Sequence, residues 1–184
     1  MYSSWKSALN LIRLSLFGWF GKYDLGSNWF QSRGSQMPTA RPVNSNDLGA
    51  LLALFADSDV SQGAEPEQAR RIWAQTLARE GLLIFVSDAD SRIVSTCMLI
   101  TTPNLLRGGR QFGILENVAT HPDFQGRGHG RAVVAAALAE AWKQDCYQVL
   151  MQSGRADPRV HRFYEACGFV PGLRTAYAVR RPAD

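Results

Sequence analysis

Residues 114–138, ILENVATHPDFQGRGHGRAVVAAAL, constrain the fold more than any other part of the chain. An apolar run of strand character ends near His121-Pro122. Gln125-Gly126-Arg127-Gly128-His129-Gly130 then leads into a segment rich in alanine and valine with helical spacing. Three alternate glycines lack Cβ atoms and reach backbone angles closed to other residues. Successive N–H groups can therefore converge on one anion at the helix N-terminus, which suits a pyrophosphate. The dinucleotide fingerprint is excluded, because the third glycine of G-x-G-x-x-G would fall on Arg131. The P-loop is excluded because Gly-Lys-Ser/Thr is missing. A flexible turn whose glycines serve tight packing is the plain alternative.

The rest of residues 37–184 builds a domain around this segment. A short extended run at 39–43 is expected to be an edge strand, since Pro42 biases Arg41 toward the β region. Asn46 or Asp47 can cap a helix through Phe55, with Leu48, Leu51, Leu52 and Phe55 on one side. Residues 65–79 read as a second helix with Pro66 in its first turn and Ile72, Trp73, Thr76 and Leu77 inward. Residues 82–87 and 93–101 form a hairpin, and a third strand covers 112–120. A helix follows from Arg131 toward Lys143 with Val133, Val134, Ala137, Leu138 and Ala141 buried. A strand at 147–152, a helix at 158–167 closed by Gly168, and a final extended segment at 169–180 complete the order β-α-α-β-β-β-α-β-α-β. That order specifies a single α/β domain on a mixed sheet.

Composition bounds the function classes. The chain has 184 residues, enough for one domain with an appendage, and a net charge of +4. The sequence pI of ≈ 9.2 invites a nucleic-acid reading. Residues 1–36 hold Lys6, Arg13, Lys22 and Arg33 against Asp24, so three of the four net positive charges lie there. Residues 37–184 are within one charge of neutral, which gives a nucleic-acid reading of that domain little support. Cys97, Cys146 and Cys167 form no C-x-x-C pair, and His121, His129 and His161 show no ligand spacing, so no metal is assigned. Three unpaired thiols suit a reducing cytoplasm, the expected location.

The same 36 residues carry Trp5, Leu9, Ile12, Leu16 and Phe20 at steps of three and four. A helix there would present an apolar stripe to a membrane surface, the domain or a partner. The apolar stretch is too short for a membrane span of roughly 20 residues, and Arg13 interrupts the core a secretory signal needs. Met37 opens a stretch that reads as the start of a domain, so residues 1–36 are expected to be either upstream sequence or an amphipathic extension to a transferase domain over 37–184.

Around the glycine turn, Gln125, Gly128 and Gly130 match Gln/Arg-x-x-Gly-x-Gly/Ala, motif A of the GNAT superfamily of N-acetyltransferases, and ENVATHPDFQ is similar to the family's fourth strand and turn. About 30 residues on, HRFYEACGF resembles the family's F-Y-x-x-x-G-F signature. The resemblance spans 39–180 and implies a mostly antiparallel sheet, splayed at the cofactor site, with helices on both faces. It further implies that acetyl-coenzyme A lies between the strand at 112–120 and that at 147–152. Val118, Ala119 and Thr120 would bond the pantetheine arm through their main chain. The pyrophosphate would rest on Gln125, Gly126, Arg127, Gly128, His129, Gly130 and Arg131, chiefly through backbone N–H groups, with Arg127 or Arg131 adding charge. His129 itself stands at a variable position of the motif.

Acyl transfer needs a neutral amine, a stabilised oxyanion and a protonated leaving thiolate. The resemblance makes Tyr164 the general acid, against the alternative of a core tyrosine beside Val160 and Cys167. Glu116 is the one charged residue in its apolar strand, two positions before Val118 and expected on the same face, where it can serve as base. A strand-end carboxylate paired with Arg110 or Arg155 is the alternative. Asp157 stands where many relatives have an Asn, and N-capping of the 158–167 helix accounts for it. The reaction implied is acetyl transfer from acetyl-coenzyme A to a primary amine through a tetrahedral intermediate. The acceptor, small molecule or protein amine, is left open, with 56–63 and 103–110 as pocket formers and a homodimer admitted. A non-catalytic acyl-coenzyme A-binding regulatory module is the other reading. For the N-terminal segment, peptide mass spectrometry of the protein from its native source should find nothing from residues 1–36, and an intact peptide from them would refute their upstream origin.

Overall fold

The computed structural model describes residues 37–58 and 63–182. The stripe expected at Trp5–Phe20 lies outside them, as do residues 59–62. The elements are β1 (Arg41–Pro42), α1 (Leu48–Asp57), α2 (Pro66–Ala78), β2 (Leu82–Ala89), β3 (Arg92–Thr102), β4 (Phe112–Thr120), α3 (His129–Lys143), β5 (Val149–Met151) and α4 (Pro158–Ala166). The five strands lie side by side in chain order, with β1 to β4 antiparallel and β4–β5 parallel. A parallel neighbour requires a crossover, and α3 supplies it. The β2–β3 hairpin turns on Asp90 and Ser91 at φ 49° and 60°, the left-handed pair that matches strand twist.

Strand alternation divides the interior into two cores. Phe85, Cys97, Leu99 and Leu115 point to one face and meet Val133, Val134, Ala137 and Ala141 of α3. Val86 and Ile93 point to the other and meet Leu51 and Leu54 of α1 and Trp73 of α2. The small side chains of α3 let it lie close over the sheet, and each fully buried valine contributes about 1.5–3 kcal/mol of burial.

Asp47 stands at the N-cap position of α1, as one of the two expected candidates, but the side-chain capping bond comes from Asn44, on the 3-10 turn before it. Asn44 accepts from the Asn46 N–H at 2.9 Å, and the Asp47 carboxylate accepts from the Asn44 N–H at 2.7 Å, a capping box on a 3-10 turn that runs into α1. Asp47 also takes Arg41 in a two-point contact at 2.7 and 3.0 Å. The same guanidinium holds Asp88 at 2.8 and 3.1 Å, so Arg41 joins β1, the start of α1 and the end of β2.

Three expectations are corrected. In α2, Trp73 is buried, but Ile72 and Leu77 are 45% and 43% exposed, because the helix rests on Ala69 and Trp73 and its Ile72 and Thr76 border a cavity. The strand expected at 147–152 pairs only over Val149–Met151. Among the described residues no strand follows α4: Gly168 ends the helix at φ 93°, Pro171-Gly172 follow, and Leu173, Tyr177 and Val179 are at least three-quarters exposed. Strand propensity is realised only against a partner, and β5 offers an edge of three residues.

Arg41 holds the Asp47 carboxyl below the usual carboxylate range. Its contribution to stability is therefore full above about pH 4 and is lost as pH falls through the lower folded value. Asp47→Asn should lower unfolding free energy by about 1 kcal/mol at neutral pH and flatten the acid limb measured by urea denaturation. Superimposable acid limbs would refute this.

Candidate active site

Strand β4 pairs with β5 only from Gly113 to Leu115, opposite Val149 to Met151. From Glu116 to Thr120 it has β3 on one side and no strand on the other, so backbone groups face an opening wedge. Within that stretch the β3–β4 register slips: Met98 opposes Glu116, and Thr96 opposes Ala119. Asn117 and Val118 thus share Cys97 as partner in a β-bulge, with Asn117 at φ 51°, a left-handed angle that asparagine tolerates. The bulge corrects the expectation that Glu116 and Val118 share a face. Glu116 and Ala119, opposite Met98 and Thr96, lie toward α1 and α2, whereas Val118 packs into the α3-side core.

After β4, His121 accepts the Asp123 N–H and starts a 3-10 turn over Pro122–Phe124. The Gln125 amide donates to the Thr120 carbonyl at 3.3 Å and folds the loop back on the end of β4. Gly126 and Gly128 then adopt φ 73° and 93°, and Gly128 leads into α3 with no side-chain cap on its first N–H groups. At Gly126 a methyl would meet nothing within 4 Å, so open space lies beside the loop. Gly130 serves the opposite need: a Cβ there would stand 3.1 Å from Thr120 Oγ1 and 3.3 Å from the Phe163 ring, so its absence lets α3 approach both.

The charged and aromatic residues of the loop have distinct positions. Arg127 lies 5.0 Å over the Phe124 ring, a cation–π contact that keeps it beside the glycines, and Arg131 is exposed on the first turn of α3. His129 points inward. Its Nδ1 is 2.9 Å from Ser87 Oγ, and Ser87 donates its own hydrogen to the Thr39 carbonyl at 2.7 Å, so Nδ1 is the donor to Ser87. Burial and then Arg127 lower the His129 pKa, which favours this neutral form. Only the main chain of His129 is free to meet an anion. The wedge beside Val118–Thr120 and the uncapped N–H groups at 128–131 fit a pantetheine arm ending in a pyrophosphate.

Tyr164 of α4 is half-buried beside Phe163 and Phe169, with ring centroids 5.0 and 6.0 Å away. Its hydroxyl makes no hydrogen bond among the described residues. Burial first, then Cys167, Cys97 and Glu116, raise its pKa, so the phenol keeps its proton at neutral pH. Glu116 is half-buried and has no ion-pair partner among the described residues, since Arg110 binds Asp145 at 2.8 Å. Asp157 accepts the Arg159 N–H at 2.8 Å and caps α4, as expected. His161 is exposed. The bulge at Asn117 escaped sequence reasoning, although an asparagine inside an apolar strand is the residue type that marks one. The described residues include no metal-binding group of three or more His, Cys, Asp or Glu, and no helix long and apolar enough to cross a membrane.

Residues 49–169 match the model of the Acetyltransferase (GNAT) family. The chain belongs to this family. It is 31% identical over 131 residues to the glucosamine 6-phosphate N-acetyltransferase of Trypanosoma brucei brucei, covering 70% of this chain and 86% of that protein. It is 32% identical over 149 residues to the aminoglycoside N(6')-acetyltransferase type 1 of Stenotrophomonas maltophilia, covering 76% and 91%. Among solved structures, a protein from Agrobacterium tumefaciens str. C58 assigned as an acetyltransferase superposes with a TM-score of 0.72 at 38% identity, covering 78% of this chain and 99% of that one. Membership makes the chain an acyltransferase, with the open α/β sheet of its GNAT relatives.

On the far side of β4 from α3, a half-open GNAT cavity of about 400 Å³ lies between α1, α2 and the β3–β4 surface, with Asn117, Val118 and Ala119 on its wall. Residues 103–110, expected to help form the acceptor pocket, do not line it. Gly126→Ala isolates backbone conformation, because the methyl has room. It should cost about 1 kcal/mol of stability from the left-handed angle and weaken coenzyme A binding about tenfold by calorimetry; unchanged affinity would contradict a role for the loop geometry.

Proposed function

We propose that this GNAT protein transfers the acetyl group of acetyl-coenzyme A to a primary amine by direct attack of the amine on the thioester, with residues 37–184 as the transferase unit. The observation that carries this reading is the meeting, at Asn117–Ala119, of the wedge beside β4 with the cavity under α1 and α2. A donor and an acceptor can thus reach one point from opposite sides. When bound, acetyl-coenzyme A supplies an activated acyl group and a thiolate leaving group.

The main chain of Val118, Ala119 and Thr120 holds the pantetheine arm. Thr120 Oγ1 is already bonded to Ser95 Oγ at 2.8 Å, which supports contact there through backbone only. Gly126, Gly128, His129 and Gly130 present N–H groups to the pyrophosphate, Arg127 and Arg131 add positive charge, and Gln125 positions the loop. Glu116, on the cavity side of the bulge, takes the proton of the incoming ammonium directly or through water. Tyr164, protonated at neutral pH, gives its proton to the departing sulfur.

Tyr164→Phe should lower kcat at least about 100-fold, with KM for acetyl-coenzyme A within about twofold, and abolish the alkaline limb of the kcat profile. An unchanged kcat across pH would overturn the assignment of the acid.

A further inference from the structure

We infer that the cavity between α1, α2 and the β3–β4 surface takes a primary amine carried on an uncharged aromatic or branched-alkyl body, and disfavours both phosphosugars and polycationic aminoglycosides. The inference rests on the transfer reaction proposed above and specifies its acceptor. Leu52 and Phe55 of α1, Ile72 and Trp73 of α2 and Met98 of β3 give the cavity its surface. None of the described residues that line it is Asp, Glu, Lys, Arg or His.

Thr76, Thr96, Trp73 and Asn117 bring polar side-chain groups to the cavity, and two of them are committed. Thr96 Oγ1 donates to the Phe85 carbonyl at 3.0 Å, and the Trp73 indole N–H donates to the Ser45 carbonyl at 3.2 Å, leaving ring carbon toward the cavity. The Asn117 amide has only the Met98 sulfur at 4.0 Å, so it stands available at the bulge, where an amine must arrive. A buried phosphate requires cations and a buried ammonium array requires several carboxylates; the described lining residues offer neither, and the single carboxylate of β4, Glu116, which faces this side, stands outside the lining. The lining offers apolar contact with two uncommitted side-chain polar groups, the Thr76 hydroxyl and the Asn117 amide at the bulge, an arrangement that suits an amphipathic monoamine. The 45% exposure of Ile72, a large aliphatic residue at the cavity rather than in the core, has the same explanation.

The test is thiol release from acetyl-coenzyme A by the full chain with 2-phenylethylamine, glucosamine 6-phosphate or kanamycin as acceptor, paired with calorimetry of each amine on the coenzyme A-loaded protein. The expected result is kcat/KM at least tenfold higher for 2-phenylethylamine. Ile72→Glu should raise its KM at least tenfold while leaving KM for acetyl-coenzyme A within twofold, and Ile72→Met should restore it. Preference for the phosphosugar or the aminoglycoside, or an Ile72→Glu enzyme with unchanged KM, would overturn the inference. If no amine is turned over, the transfer reading fails, and the cavity's selectivity is then judged by binding: tighter binding of 2-phenylethylamine sustains it, and equal, weaker or absent binding overturns it.

Discussion

Strand β4 loses its parallel neighbour after Leu115, and the rest of the site follows from that loss. A strand inside a sheet has no backbone groups to spare, because both edges are paired. Once β5 ends at Met151, the residues from Glu116 onward keep β3 on one side and present main-chain donors and acceptors to open space on the other. Such groups need a partner, and a flexible amide-bearing arm laid along the strand can supply one. The short β5, a weakness in a purely structural sheet, leaves room there for the coenzyme of the proposed reaction.

The bulge at Asn117 acts on this opening. One extra residue in β4 reverses the side-chain alternation, so Glu116 and Ala119 address the α1–α2 face while Val118 remains in the α3-side core. The loop that follows is tied down at several points. Gln125 reaches back to Thr120, Arg127 rests on Phe124, and His129 is latched through Ser87 to the chain at Thr39. Its glycines are free in conformational choice yet held in place, so the N–H groups need little reordering when an anion arrives.

Residues 112–130 were legible because several local signals agree there. The observed β4 has the bounds read from the sequence, and the glycine turn opens a helix whose buried Val133, Val134, Ala137 and Ala141 were expected. What was not legible depends on partners. Residues 169–180 have strand composition but only the three-residue edge of β5 to pair with, and Ile72 has core composition but borders a cavity. The bulge leaves only a faint mark, one asparagine, while its effect on which face Glu116 occupies is large. The side chain of His129 was read as incidental to the motif, and its bond to Ser87 depends on an element far away in the chain.

The relatives named for glucosamine 6-phosphate and aminoglycoside acetylation share this chain's scaffold, while the described residues that line the cavity carry no charge to meet either kind of acceptor. Family membership thus fixes the class of chemistry, and the lining decides what is acylated. If the wedge beside β4 and the glycine loop form one coenzyme site, amide hydrogen exchange with and without saturating coenzyme A will report on both together. Slowed exchange at 118–120 and 126–131, with β1 and α1 unaffected, is the predicted result, and unchanged exchange across both segments would contradict a coenzyme site there.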